Sequence, residues 1–301
     1  MRLALSLAVL ASPAVADAPA VVADIPPVHS LVAAVMEGRG APALLLTGAA
    51  DPHSHSLRPS EATALEEANL VVLMGEALTP WIGGPLSALA PDALRLELLD
   101  VEGLDLIEVE DPHDGEEGHA HGAEEHDEDD HGGDHSGHDH GPLDPHAWLD
   151  PETAAAFAAE IAARLSEIDP DGRPTYEANR DSFVAAAEVL TPPAVDARPW
   201  IAGHDAYAYA SRWVGAPAAG AVMDVDNLAP GAARLRELSA IAGEAACVIA
   251  PPDADARLLA AAGNLPVVTL DPLGRAHEPG PALWPALMAD VSAAFEECLS
   301  P

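Results

Sequence analysis

The sequence contains no lysine, so its positive charge rests on arginine alone. Lys and Arg together number 13 against 50 Asp and Glu, and the formal net charge is −37. Phosphate contacts need cationic side chains, so a nucleic-acid partner is not expected. Aromatic residues make up only 4% of the chain, which leaves Ala, Leu and Val to build the cores. No stretch reaches about 18 consecutive apolar residues, so no membrane-spanning helix is expected. There is no HExxH motif and no obvious pair of catalytic acids, so a zinc hydrolase lacks its usual base, although Asp271 is a candidate. Only two cysteines are present, Cys247 and Cys298.

What is present begins with residues 1–16, MRLALSLAVLASPAVA. Arg2 precedes an apolar run from Leu3 to Leu10, and Ala14-Val15-Ala16 fits the small-residue cleavage rule. This predicts a secretory signal peptide cut after Ala16, and hence an exported protein. In an oxidising compartment an isolated cysteine pair favours a Cys247–Cys298 disulfide over a metal site. That bond ties the C-terminal helix to its domain. The apolar share of 49% supports two cores of ordinary size.

Residues 111–141 read DPHDGEEGHAHGAEEHDEDDHGGDHSGHDHG. The segment has no apolar run and is predicted to be disordered. Acidity alone does not need so many imidazoles, and a His-dense tract of this kind reads as metal binding. Its His113, His119, His121, His126, His131, His135, His138 and His140 are candidate low-affinity ligands. A tract without geometry does not define one tight site.

Strands alternate with helices on both sides of this insert. Strands are expected at 21–25, 43–47 and 70–74, with helices at 28–36 and 60–68. Further helices are expected at 151–166 and 174–190. The second half predicts strands at 199–202, 219–223, 247–250 and 266–270, and helices at 206–213, 231–242, 253–262 and 282–299. Such alternation predicts an α/β fold with parallel-rich sheets. The expected division is a first lobe over 17–172, which carries the 111–141 loop, a connecting helix over 173–195, and a second lobe over 196–301.

Outside the tract, His53, His146 and His204 stand in or near loops at the carboxyl ends of strands, where ligands bind in open α/β sheets. Three imidazoles meeting at one point suit zinc, with a carboxylate or water in fourth place. Asp271 ends the last strand and is either that carboxylate or a turn starter before Pro272. His29 is expected to be structural, and the place of His277 is open.

Four stretches carry a resemblance: Asp51-Pro52-His53 through Pro59-Ser60, Pro145-His146-Ala147-Trp148-Leu149, Gly203-His204-Asp205-Ala206-Tyr207, and Thr269-Leu270-Asp271-Pro272-Leu273-Gly274. In order, and across nearly the whole chain, they resemble the zinc-uptake (ZnuA-type) substrate-binding proteins of bacterial ABC transporters. The resemblance extends to a His-rich acidic insert before the second His and to a cysteine pair in the second half.

It implies two α/β lobes joined by a long backbone helix, with the metal in the cleft between them. It implies His53 and His146 as ligands from the first lobe, His204 from the second, and Asp271 at or near the metal. The implied function is capture of Zn(II) by a monomer and its delivery to an inner-membrane ABC permease, without catalysis. It gives His55 no role. The alternative is a binding protein or chaperone for Mn, Ni or Cu; manganese-type relatives carry Glu where this chain has His204. The chain departs from the pattern at Pro52, where some relatives have Glu, and at Ala250-Pro251-Pro252, where Glu-Pro is common.

Overall fold

The computed structural model describes residues 18–48, 50–109, 143–196 and 198–300. The expected signal peptide and the eight His of the 111–141 tract lie outside the described residues. Among the described residues, no helix is long and apolar enough to cross a membrane.

The first lobe runs β1 Val21–Ala23, α1 Pro26–Met36, β2 Ala43–Leu44, α2 Pro59–Glu66, β3 Leu70–Leu73, α3 Gly83–Leu89 and β4 Leu94–Glu97. Its four strands pair in parallel in the order β2-β1-β3-β4. Leu70–Leu73 is buried throughout, as an apolar strand covered on both faces must be. Pro26 and Pro27 open α1, where their missing N–H groups cost nothing. The carboxylate of Asp24, just past β1, accepts from the N–H of Ile25 at 2.7 Å and of Met74 at 2.8 Å. It thereby clamps the ends of β1 and β3. Complete burial raises its pKa to about 7.

Two helices follow the insert. Asp150 caps α4 Pro151–Ile168 by accepting from the N–H of Thr153 at 3.0 Å. Helix α5 Arg173–Glu188 packs back on α4 and α1, and its Asn179 amide donates to Val35 O and Glu37 O at the end of α1. The chain then enters the second lobe. This runs β5 Ile201–His204, α6 Ala208–Val214, β6 Gly220–Met223, α7 Ala232–Ile241, β7 Val248–Ala250, α8 Ala256–Leu259, β8 Val267–Thr269 and α9 Leu283–Leu299. The parallel order β6-β5-β7-β8 repeats the pattern of the first sheet.

One core passes through both lobes. Ala202, Ile249 and Val268 on one face of the second sheet join the cluster that holds β1, β3, α1 and α4. Ile201, Val248 and Ala250 form a smaller cluster on the other face. Three aromatics bridge the seam. Trp148 Nε1 donates to Pro272 O at 2.8 Å, and Trp284 Nε1 to Trp148 O at 2.8 Å. Tyr209 OH accepts from the N–H of Ile107 at 2.9 Å. Cys247 and Cys298 form a disulfide that fixes α9 beside β7.

Three expectations need correction. Helix α3 and strand β4 were not anticipated. Gly83-Gly84-Pro85 is a poor helix start by propensity, yet Ile82 and Leu86 are buried and anchor it. Strand β4 reads Leu-Arg-Leu-Glu because it is an edge, and polar side chains guard an edge. The helix expected at 253–262 is only Ala256–Leu259 with a 3₁₀ turn to Ala262. Strand β5, expected to end at 202, runs on to His204, which lies opposite Met223.

Candidate metal centre

The carboxyl ends of both sheets open on one cavity of about 340 Å³. Residues at or beyond the carboxyl ends of β2, β5, β6, β7 and β8 line it, among them His53, His204, Met223, Pro251 and Asp271, with His146 from the turn before α4. In sheets of this order, that edge is where the chain leaves neighbouring strands in opposite directions and a crevice forms.

His53 lies in the 3₁₀ turn Pro52–Ser54, and Asp51 shapes that turn. The Asp51 carboxylate accepts from the His53 N–H at 3.1 Å and from Ser54 Oγ at 3.0 Å. Trp81 Nε1 donates to Pro52 O at 2.8 Å and holds the turn from outside. Both ring nitrogens of His53 are buried and have no hydrogen-bond partner. An imidazole nitrogen so placed normally has a partner.

His146 is held differently. Asp144 Oδ1 accepts from its backbone N–H at 2.9 Å and pairs with its ring Nδ1 at 2.8 Å. Asp144 is 3% exposed and His146 2%. The carboxylate fixes the ring and its tautomer, and it leaves Nε2 for another partner. The ring also stacks at 5.3 Å from Trp148. His204 completes the group. Its Nε2 lies 3.2 Å from Val225 O, which leaves Nδ1 free as an acceptor.

The structure brings these three together. Ring centroids are 5.9 Å apart for His53–His146 and His53–His204, and 5.2 Å for His146–His204. One nitrogen from each lies within 4.8 Å of the others. Tetrahedral zinc at about 2.0–2.1 Å from each nitrogen places them about 3.4 Å apart, so a bound ion asks each nitrogen to move inward by less than about 1 Å. Burial, and then the neighbouring His146, push the His53 pKa down. The same causes push His204 down to about 3. Neutral imidazole is the form that coordinates a metal.

The remaining candidates lie apart from this group. Asp271 lines the cavity, but its carboxylate is turned to Arg275. Oδ2 accepts from the Arg275 backbone N–H at 2.8 Å and from its Nε at 2.9 Å, and Oδ1 from the Leu273 N–H at 3.2 Å. His55 pairs with Glu61 at 2.8 Å and packs on Trp81. His29 faces Pro42 O from inside α1. His277 pairs with Asp290 at 2.6 Å.

Two residues that hold candidate site side chains escaped the sequence reading, Asp144 and Arg275. For Asp144 a signal existed. Asp51-Pro52-His53 and Asp144-Pro145-His146 are the same tripeptide. Both fold into a turn in which the Asp side chain accepts from the His backbone N–H two residues on. Nothing in the sequence distinguished Arg275 from the other arginines.

The chain matches the family described as zinc-uptake complex component A periplasmic (ZnuA) over residues 21–298. It is 38% identical over 320 residues to the high-affinity zinc uptake system protein ZnuA of Paracoccus denitrificans, covering 99% of this chain and 97% of that one. With the protein of the same name from Brucella suis it shares 33% over 312 residues, covering 93% and 91%. Among solved structures, a crystal structure of ZnuA superposes with a TM-score of 0.70 at 24% identity, covering 93% of this chain and all of the other. A mutant laminin-binding adhesin (Lmb) from Streptococcus agalactiae gives 0.72 at 20% identity, covering 93% and 99%. At these identities the two structures speak to the fold alone.

Proposed function

Because the chain belongs to the zinc-uptake complex component A periplasmic family, we propose that it captures Zn(II) with high affinity in the periplasm and hands it to an inner-membrane ABC permease. Zinc is the cargo, and no covalent step is needed. In this reading residues 1–16 are removed on export and the mature chain acts as a monomer. His53, His146 and His204 hold the ion. The observation that carries this assignment is the half-buried His53, whose two ring nitrogens are shielded from solvent and unpartnered beside two other imidazoles. Three nitrogen donors with room for a fourth ligand suit Zn(II) and disfavour Mn(II), whereas Cu(II) and Ni(II) compete by intrinsic affinity. The His-rich tract serves as a weak collector.

Titration of the metal-free chain with Zn(II), before and after deletion of residues 112–141, tests this division of labour. The tight site is expected to persist in the deleted chain while the weak equivalents disappear. Loss of the tight site with the tract would place the cargo site in the tract and overturn the assignment.

Asp144 acts through His146. Asp144→Ala leaves both the His146 N–H and its Nδ1 without their acceptor. Partners of this kind contribute about 10–100-fold to metal affinity, and a loss of that size is expected by chelator competition. Asp144→Asn keeps an acceptor oxygen and should lose less. Wild-type affinity in the alanine variant would remove Asp144 from the site.

A further inference from the structure

We infer that Arg275 sets the metal preference of this site by holding the Asp271 carboxylate away from the three imidazoles. The inference rests on the zinc-site reading above. Asp271 and Arg275 line the same cavity as the three imidazoles. The carboxylate is nevertheless absent from the group of nitrogens that converge there.

Its lone pairs are committed elsewhere. Arg275 engages Oδ2 through both its backbone N–H and its Nε, and the Leu273 N–H engages Oδ1. Arg275 Nη1 reaches on to Asp253 Oδ2 at 3.1 Å, so one guanidinium bridges two acids on the cavity wall. The side chains of Arg275 and Asp271 are 16% and 13% exposed. A charge-assisted pair so sheltered resists screening better than a surface pair.

The backbone on both sides of Asp271 is pinned. Tyr207 OH donates to Leu270 O at 2.8 Å, and Trp148 Nε1 donates to Pro272 O at 2.8 Å. Asp271 therefore cannot leave the cavity wall. Only its side chain can change partner. The two backbone N–H donors remain whatever residue stands at 275, and the Arg275 guanidinium is the charged partner that opposes a turn toward a bound cation. With Arg275 in place, the site offers three nitrogens and leaves the fourth position to solvent. Without it, Asp253 and Asp271 face each other unneutralised, and the Asp271 carboxylate gains by turning to a bound cation. A hard, anionic oxygen raises affinity for Mn(II) and Co(II) more than for Zn(II).

The test compares the native chain with Arg275→Met, Arg275→Lys and the double variant Arg275→Met, Asp271→Asn. Zn(II) and Mn(II) affinities are measured by chelator competition, and the visible spectrum of the Co(II) form reports the donor set. Arg275→Met is expected to raise Mn(II) affinity relative to Zn(II) by about tenfold or more and to change the Co(II) spectrum. Arg275→Lys, which keeps the charge near Asp271, should stay close to the native chain, and the double variant should lose the gain. A native Mn/Zn ratio and a native Co(II) spectrum in Arg275→Met, with tight zinc binding intact, would overturn the inference while sparing the three-His reading. Absence of a tight zinc site in the native chain would overturn that reading itself. A zinc-loaded crystal structure of the native chain decides independently of any variant. Asp271 at bonding distance from the ion rules the inference out, and Asp271 still paired with Arg275 supports it.

Discussion

Replacing His204 by Ala is expected to weaken zinc binding by on the order of 10²–10³-fold. Zinc held by four protein ligands is bound by about 10–16 kcal/mol near neutral pH, or about 2.5–4 kcal/mol for each ligand. His204 is the one member of the converging group that the second lobe supplies. Without it, His53 and His146 remain on one side of the cavity and two further positions fall to solvent. Burial already keeps the His204 imidazole neutral, so the native site gives up no proton from this ring when metal enters. Chelator competition with the metal-free variant measures the loss, and circular dichroism checks that β5 still folds. Unchanged tight affinity would sink the three-His assignment.

The second large effect is on stability. Trp148 is fully buried, donates across the seam to Pro272 O, and accepts from Trp284 Nε1 through its own carbonyl. Trp148→Ala removes the largest kind of side chain from a closed core, which costs about 3–5 kcal/mol. It also leaves Pro272 O without its donor, for a further cost of about 1–3 kcal/mol. Domains are stable by only about 5–15 kcal/mol, so this one change consumes much of the margin. Trp148→Phe retains most of the ring but not the N–H, and is expected to lose the smaller part. Urea midpoints of the two variants separate packing from hydrogen bonding. If Trp148→Phe matches the native chain, the bond to Pro272 does not brace the seam.

The same residues show how far the sequence was legible. The run at 70–74 announced itself as a buried parallel strand, because no polar position interrupts it, and 21–25 was legible as a short strand. Strand β4 did not, because an edge strand is selected to look polar. The identical order of the two sheets was not legible either, since strand pairing joins segments far apart in the chain. At the site, strand-end position singled out His53, His146 and His204, and the family resemblance turned that position into roles. Asp271 had the same credentials, and its partner Arg275 was invisible.

By itself, the sequence determined the chemistry available. Dense imidazole and carboxylate in the 111–141 tract, and His residues beside strand ends, pointed to metal binding without defining a site. Donor type is a local property, readable one residue at a time. The tertiary structure decided which donors converge and which are spent on other partners. It brought His53, His146 and His204 within 4.8 Å, left His53 with unpartnered nitrogens, fixed His146 through Asp144, and turned Asp271 to Arg275. Convergence depends on two sheets presenting their carboxyl edges to one cavity, and that arrangement comes from long-range packing that no local stretch of sequence specifies.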